Sequence, residues 1–388
     1  MSFGKALNKS KSLLGAVPLF GLATGALFPI TALHLQDLGS DPAFIGLVTT
    51  VYYCGSFLAA MTFGKILTKV GYRAGFATSA LVAAGATYSL TLVEGQSSWL
   101  LLRFIGGFSL GAYYVVVDGW FQALADRRSR GTLFATYETV RLAATALGPF
   151  LLVLGSVYGS IVIVDLAYLA SIAPALLTEE PNGGRPKSYD FSGLVETARC
   201  FPAALLVAAC GGIANSSFYG LSALYASGVG FSVESIAFFV AFVLAAPAVS
   251  EIPLGALADR FTRMGVAVSC AATALAASLV LILFQTPPLL LACLGGAVVG
   301  GAMVPMYAFG LSRIVDGSRE TETVEATSAG LIAYNLGAFA GPVLAGVSIA
   351  TFGAVGLYVF LSLVASVAFL SALADIKFTR CCPEPAAM

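Results

Sequence analysis

Residues 264–284 read MGVAVSCAATALAASLVLILF, a run that contains no charged side chain. A chain needs about 20 mostly apolar residues to cross the roughly 30 Å hydrocarbon core of a bilayer as a helix. The apolar residues are continuous along this run, whereas in a strand of a membrane β-barrel they alternate with polar ones over about ten positions. Residues 264–284 therefore predict a transmembrane helix.

The composition of the whole chain agrees with this interpretation. Of its 388 residues, 58% are hydrophobic and 10% are charged, whereas soluble domains carry about 25% charged residues. This composition argues against a soluble enzyme. The 20 basic residues are balanced by 20 acidic ones, so no positive surplus is left to neutralise the phosphates of a nucleic acid. The 7 cysteines are scattered through apolar sequence and do not form the framework of a disulfide-rich domain.

Further apolar runs of similar length, separated by Gly, Pro and clusters of charge, occur throughout the chain. Together they predict an all-α integral membrane protein with twelve transmembrane helices. We call the predicted helices spans 1 to 12, and they cover 12–35, 44–65, 72–93, 98–122, 132–156, 158–178, 201–228, 235–257, 264–284, 287–311, 324–350 and 352–374.

The positions of the basic residues predict the orientation of the spans, because cytoplasmic loops are enriched in Lys and Arg. All basic residues except Arg103 and Arg141 lie before span 1, after span 12 or near the loops that follow even-numbered spans. The loops on the opposite side contain none. Both termini are therefore predicted to be cytoplasmic.

The longest polar stretch, 179–200, divides the spans six and six, and short similarities relate the two halves. Residues 64–71, GKILTKVG, resemble residues 255–262, GALADRFT. Two glycine-containing pairs of the first half, Gly106-Gly107 and Gly148-Pro149, recur at nearly the same offset as Gly295-Gly296 and Gly341-Pro342. Paired six-helix repeats are a transporter architecture.

This division predicts two pseudo-symmetric six-helix bundles. The first comprises 1–178 and the second 201–388, and a cytoplasmic linker, 179–200, joins them.

Residues 255–263, GALADRFTR, are similar to the loop signature Gly-x-Leu-Ala-Asp-Arg-x-Gly-Arg of the major facilitator superfamily. Over essentially its whole length the chain resembles a transporter of that superfamily. In the family this loop helps to close the cytoplasmic side, which implies a gate role for Gly255, Asp259, Arg260 and Arg263. The copy in the first half, with Gly64, Gly71 and Arg73, departs from the signature at Thr68 and Tyr72.

A narrower resemblance lies in spans 4 and 5. The stretch from Trp99 through Arg103 and Asp118 to Arg130-Gly131 is similar to the YcaD-like group of bacterial inner-membrane proteins. The resemblance implies a bacterial inner-membrane location and a salt bridge of the cytoplasmic gate that involves Asp118 and Arg130. Glu251, just before the 255–263 loop, receives the same interpretation.

Ionisable residues inside the spans are candidate site residues, because burying one in a bilayer costs at least about 2.5–3.5 kcal/mol. Glu138 and Arg141 are three residues apart in span 5, which places them on one helical face near the midplane. They are expected to carry a proton and to bind a carboxylate or phosphate, the alternative being an ion pair that only packs helices. Arg103 is expected either near a central cavity or snorkelling outward. Asp165 in span 6 is expected to be an internal, hydrogen-bonded acid.

The second half contributes polar residues without charge at this depth. Asn215 of span 7, Tyr307 of span 10 and Asn335 of span 11 are the candidates for the solute site. Most such residues in membrane helices serve only as interhelical hydrogen-bond partners. A positive first half and a polar, aromatic second half favour an anionic or zwitterionic solute.

Two other signals carry less weight. The hydrolase pattern Gly107-Phe-Ser109-Leu-Gly111 lies inside an apolar span instead of a strand-to-helix turn. One relative of the YcaD-like group resembles a copper importer. Copper import would need thioether or imidazole ligands, and spans 7 and 8 contain neither Met nor His. The sequence therefore predicts no metal site and no cofactor.

Together these observations predict a secondary active transporter of a small organic solute. It is expected to work as a monomer in the lipid bilayer by alternating access, coupled to protons through Glu138. Two alternatives stay open at this point: an exporter of drugs or metabolites by proton antiport, and a non-transporting assembly factor or sensor with the same fold.

Overall fold

A computed structural model of the protein describes residues 3–124, 130–155, 157–180, 194–318 and 323–378, and those ranges are almost entirely helical and contain no strand. The helices are α1 (Phe3–Asp37), α2 (Pro42–Val70), α3 (Tyr72–Ser89), α4 (Gln96–Leu124), α5 (Arg130–Leu147), α6 (Val157–Leu176), α7 (Leu194–Cys200), α8 (Pro202–Gly228), α9 (Val233–Arg260), α10 (Arg263–Leu283), α11 (Leu289–Met303), α12 (Met306–Gly317), α13 (Thr323–Phe352) and α14 (Gly356–Phe378). A 3₁₀ helix, Gly148–Leu154, follows α5 directly.

The predicted all-α membrane fold with twelve spans is confirmed. Within the described ranges, 11 segments are long and apolar enough to cross a membrane, by length and composition. Helix α3, which corresponds to span 3, is not among those segments, because Arg73 and several Ser, Thr and Gly residues lower its hydropathy.

Two spans differ from the single α-helices that the sequence predicts, and a proline lies at the change in both. Span 5 changes from α5 to the 3₁₀ helix at Gly148 and Pro149, and span 10 is interrupted between Met303 and Met306, where Pro305 lies. Proline has no backbone N–H and clashes with the preceding turn, so it removes one α-helical hydrogen bond and weakens the helix at that point. The helices α1, α6, α9 and α13 nevertheless continue through internal prolines, so a proline interrupts the helix only at some positions. Span 10 also extends to Gly317, beyond its predicted end at 311.

The chain forms two compact units. The first comprises Met1–Leu38 and Leu47–Ser188, and the second comprises Gly39–Gly46 and Tyr189–Met388. In the first unit, α1 packs against α5 and α6, and α3 packs against α4 and α6. In the second unit, α8 packs against α13 and α10 packs against α14.

Glycines allow helices of one unit to approach each other closely. A Cβ atom added to Gly25 of α1 would lie 1.9 Å from the carbonyl oxygen of Thr145 in α5. The same construction at Gly107 of α4 places Cβ 1.9 Å from the carbonyl oxygen of Tyr52 in α2. Small residues at such crossings are typical of membrane helices. The glycine of the hydrolase-like pattern is therefore a packing residue inside α4.

Candidate functional site

The ion pair of α5 forms as the spacing predicts. Arg141 donates from Nε and Nη2 to Oε2 of Glu138, at 2.8 and 2.6 Å. Its Nη1 donates to the hydroxyl of Tyr114 in α4 at 3.3 Å, and the guanidinium carbon lies 5.3 Å from the centre of that ring. The Arg141 and Glu138 side chains are 17% and 31% exposed, so the pair is only partly buried. Both nitrogens use one carboxylate oxygen, and Oε1 of Glu138 takes no part in this ion pair.

Asp118 of α4 lies beside this ion pair and is bonded to a tyrosine. Its Oδ1 accepts a hydrogen bond from the hydroxyl of Tyr137 in α5 at 2.9 Å. Tyr137 is fully buried. The side chain of Arg130 lies outside the described residues, so the gate roles of Asp118 and Arg130 stay predictions. Residues of α4 and α5 thus bring two acids, an arginine and two tyrosines to one region of the first unit.

Arg103 of α4 is buried among aromatic rings. It is 2% exposed, and its guanidinium carbon lies 4.3 Å from the ring centre of Tyr52 and 5.4 Å from that of Phe28. Within the described part of the chain, Nε and Nη2 have no hydrogen-bond partner. The alternative that Arg103 snorkels outward is wrong, because the surrounding rings of α1 and α2 cover it. The interaction with the ring faces stabilises the cation, by about 2 kcal/mol for a desolvated pair.

In the second unit, an uncharged cluster joins α8, α12 and α13. Asn215 donates from Nδ2 to the hydroxyl of Tyr334 at 2.9 Å, and the Tyr334 ring lies 4.7 Å from the Tyr307 ring. Asn335 instead donates to the carbonyl oxygen of Leu331 in its own helix at 2.7 Å. Tyr334, the residue before Asn335, therefore contacts the candidates Asn215 and Tyr307 directly. Tyr334 and Asn335 are adjacent polar residues of α13. The sequence alone did not show which of the two contacts α8 and α12.

The start of α3, which belongs to the predicted gate of the first unit, is bonded to an acid from elsewhere in the chain. Oε1 of Glu180 accepts hydrogen bonds from the backbone N–H groups of Tyr72 at 2.6 Å and Arg73 at 3.4 Å, at the start of α3. Arg73 Nε donates to the carbonyl oxygen of Thr178 at 2.9 Å. Gly71 has φ 81°, and a Cβ atom there would lie 2.4 Å from Glu180 Oε1.

Glu180 thus supplies a carboxylate where the first-half loop lacks the aspartate of its counterpart. Thr68, which stands at the aspartate position, donates to the carbonyl oxygen of Lys65 in its own helix, and Gly64 also lies within α2. A carboxylate at a helix N-terminus satisfies free N–H groups and interacts favourably with the helix dipole. The sequence places Glu180 in the linker and contains no signal that links it to α3.

Glu180→Ala is expected to lower the free energy of unfolding by about 1 kcal/mol, the typical cost of removing a side chain that caps a helix. Glu180→Gln should lose less, since its amide oxygen can still accept. The matched control is Glu179→Ala, because the side chain of Glu179 forms an exposed pair with Lys9 at 3.3 Å, and such pairs contribute little. Thermal unfolding in detergent compares the three; equal melting of the two alanine variants would contradict the capping role.

The predicted gate of the second unit contains a network of ion pairs. Arg263 pairs with Asp259, one turn before it, and donates from Nε to Oδ2 of Asp316 at 3.3 Å. Arg313 donates from Nε to Oδ2 of Asp375 at 2.8 Å. These five side chains line a pocket of about 610 Å³.

Three members of this network, Arg313, Asp316 and Asp375, were not predicted as site residues. Their positions at the ends of spans 10 and 12, on the same side as the 255–263 loop, are the signal that could have identified them. Glu251 and Arg260 are exposed, and Gly255 has no atom near enough to obstruct an added Cβ.

Comparison with known proteins identifies the family of the chain. A model described as Major Facilitator Superfamily matches residues 13–248. The chain is 27% identical over 381 residues to an uncharacterized MFS-type transporter, YcaD, of Shigella flexneri serotype 5b (strain 8401), and the match covers 97% of both proteins.

Solved structures share the fold. A bacterial homolog of the human lysosomal transporter Spinster superposes with a TM-score of 0.76 at 16% identity, covering 97% of this chain and 99% of that one. The nucleoside transporter NupG gives a TM-score of 0.76 at 14% identity, covering 97% and 100%.

Proposed function

Because the chain belongs to the Major Facilitator Superfamily of membrane transporters, which are not enzymes, we propose that it is a secondary active transporter of a small anionic or zwitterionic organic solute. One observation carries the choice of solute: Arg103 is buried, and two of its nitrogens have no hydrogen-bond partner among the described residues. Arginine does not lose its proton in proteins. A solute carboxylate or phosphate that reaches it gains charge-assisted hydrogen bonds.

The second unit supports the uncharged part of this proposal. Asn215 and Tyr334 supply hydrogen-bonding groups, and the adjacent rings of Tyr307 and Tyr334 supply an apolar surface. Ligand sites combine a mostly apolar lining with a few polar groups that fix orientation. These residues of the second unit can contact a planar or polar part of a solute.

The arrangement of Glu138 and Arg141 supports the proposal of proton coupling. When Glu138 is ionised, its Oε2 occupies two donors of Arg141. Protonation of Glu138 weakens that pair and frees the guanidinium for the anion of the solute. Proton and anion therefore favour each other's binding, which is reciprocal by thermodynamic linkage. This coupling has the sign of a symporter for an anionic solute.

Glu138→Gln tests the coupling, because glutamine resembles the protonated acid. The variant is expected to exchange solute across proteoliposomes without a gradient, but to lose accumulation driven by a pH gradient. Glu179→Gln, an exposed glutamate changed in the same way, is the control and should accumulate solute as the unaltered protein does. Undiminished accumulation by the Glu138→Gln protein would show that Glu138 is not the coupling acid.

The transporter proposal itself is tested by a screen of metabolite anions for thermal stabilisation of the purified protein. A ligand that binds the folded state raises its stability in proportion to the logarithm of its concentration over Kd. We expect stabilising compounds to carry a carboxylate or phosphate, and Arg103→Ala to remove the effect. Stabilisation only by cationic or uncharged compounds would contradict the anionic assignment, and a non-transporting scaffold predicts no stabilisation at all.

A further inference from the structure

Asp165 of α6 is a buried acid that the proposed transport mechanism does not use. Its side chain is 7% exposed, and both carboxyl oxygens are buried with no hydrogen-bond partner among the described residues. The internal hydrogen bond expected for this residue from the sequence is therefore wrong. A buried acid without a hydrogen-bond partner among the described residues needs a different explanation.

The surroundings of Asp165 are apolar or neutral on every side that the structure describes. Helix α6 packs against α1, α3 and the 3₁₀ helix, the last of which has no ionisable side chain. The described ionisable side chains of α1 and α3 lie near the ends of those helices, and none bonds to Asp165: Lys9, Lys11, His34, Asp37, Tyr72, Arg73 and Tyr88.

The nearest titratable group on the same face of α6 is Tyr168, three residues on. Its ring lies 4.8 Å from that of Phe20, and its hydroxyl lies 3.4 Å from Oγ1 of Thr24. This hydroxyl interacts electrostatically with both Asp165 and Arg103 of α4. No cation among the described residues forms a hydrogen bond with the Asp165 carboxyl.

The position of Asp165 within α6 makes ionisation costly. It lies eight residues after Val157, the first residue of the helix, or about 12 Å along the axis at 1.5 Å per residue. An isolated carboxylate in an apolar interior is so unfavourable that the group takes up a proton instead. The neutral acid is the form that fits this environment.

We propose that Asp165 is a proton-binding site of the first unit, separate from Glu138. It holds a proton in the conformation described, and it exchanges that proton only when water reaches α6 through looser packing against α1 and α3. This site does not depend on the proposed function, since Asp165 can hold a proton whether or not Glu138 couples transport.

Infrared spectroscopy of the full-length protein in lipid tests the proposal directly. At neutral pH, the unaltered protein should show the carbonyl band of a protonated carboxylic acid, and Asp165→Asn should lose it. Asparagine has the size of aspartate and no charge, so this variant is expected to fold. A difference spectrum with carboxylate bands in place of the acid band would overturn the proposal.

A second measurement decides the matter without a variant. Dicyclohexylcarbodiimide reacts with protonated acids in apolar surroundings: the carboxyl O–H adds across a C=N bond, and the product rearranges to a stable N-acylurea with no leaving group. Peptide mapping by mass spectrometry should find this adduct on Asp165 at neutral pH and its loss at alkaline pH. If Asp165→Asn does not fold, an unmodified Asp165 in the unaltered protein would overturn the proposal.

Discussion

Arg141→Ala is expected to abolish accumulation of the solute, whereas Arg141→Lys should retain part of it. The guanidinium makes two bonds to Glu138 and one to Tyr114, and a lysine ammonium cannot reproduce that planar set of donors. A hydrogen bond to a charged group, such as one from Arg141 to the anion of the solute, contributes about 1.5–3 kcal/mol. At about 1.4 kcal/mol per tenfold change, the affinity for the solute should fall roughly tenfold or more.

Solute flux into proteoliposomes and ligand-dependent melting measure the two effects of this substitution. The double variant Glu138→Gln with Arg141→Ala separates binding from stability. It should melt at a higher temperature than Arg141→Ala alone, because the single variant leaves a carboxylate without its partner. The double variant should still fail to bind the anion. Normal accumulation by Arg141→Ala would mean that the ion pair only packs helices.

Gly107→Ala is expected to destabilise the first unit strongly, whereas Gly106→Ala should be nearly neutral. At Gly107 the added Cβ would lie 1.9 Å from the carbonyl oxygen of Tyr52 and 2.7 Å from its carbonyl carbon, so the backbone of α2 would have to move. At Gly106 the nearest atom is a ring carbon of Tyr52 at 3.6 Å, an ordinary contact. Overpacking of this kind costs about 1–3 kcal/mol and sometimes more.

Thermal unfolding and the yield of folded protein in detergent compare the two neighbouring glycines. Moving α2 also moves the Tyr52 ring, which lies over Arg103. We therefore expect that anions also stabilise the folded fraction of the Gly107→Ala protein less than they stabilise the unaltered protein. If the two alanine variants melt together and bind alike, the close approach of α2 and α4 is not a constraint on this unit.

The overall fold could be predicted because each span is a continuous apolar run, a signal that survives uncertainty about its ends. The sequence-based prediction was wrong where a single residue interrupts the helix within an apolar run. Pro305 removes a backbone donor and divides span 10 into α11 and α12, although the sequence on both sides stays apolar. Composition measures how much of a segment is apolar, and it does not register the loss of one hydrogen bond.

The candidate site was predictable only where its contacts are local in sequence. Glu138 and Arg141 meet because three residues nearly complete a helical turn. Asn215 and Tyr334 are 119 residues apart, and their bond depends on how α8 packs against α13. The rings around Arg103 come from α1 and α2, and they cannot be inferred from the residues adjacent to it in α4.

The bond from Glu180 to the start of α3 has a consequence for how this chain can diverge in evolution. Any side chain at Gly71 would displace the carboxylate, and any shortening of Glu180 would leave the N–H groups of α3 without an acceptor. The two positions should therefore change together. Among homologous sequences, those that lack an aspartate at the position of Thr68 should pair a glycine at position 71 with an acid just after the sixth span.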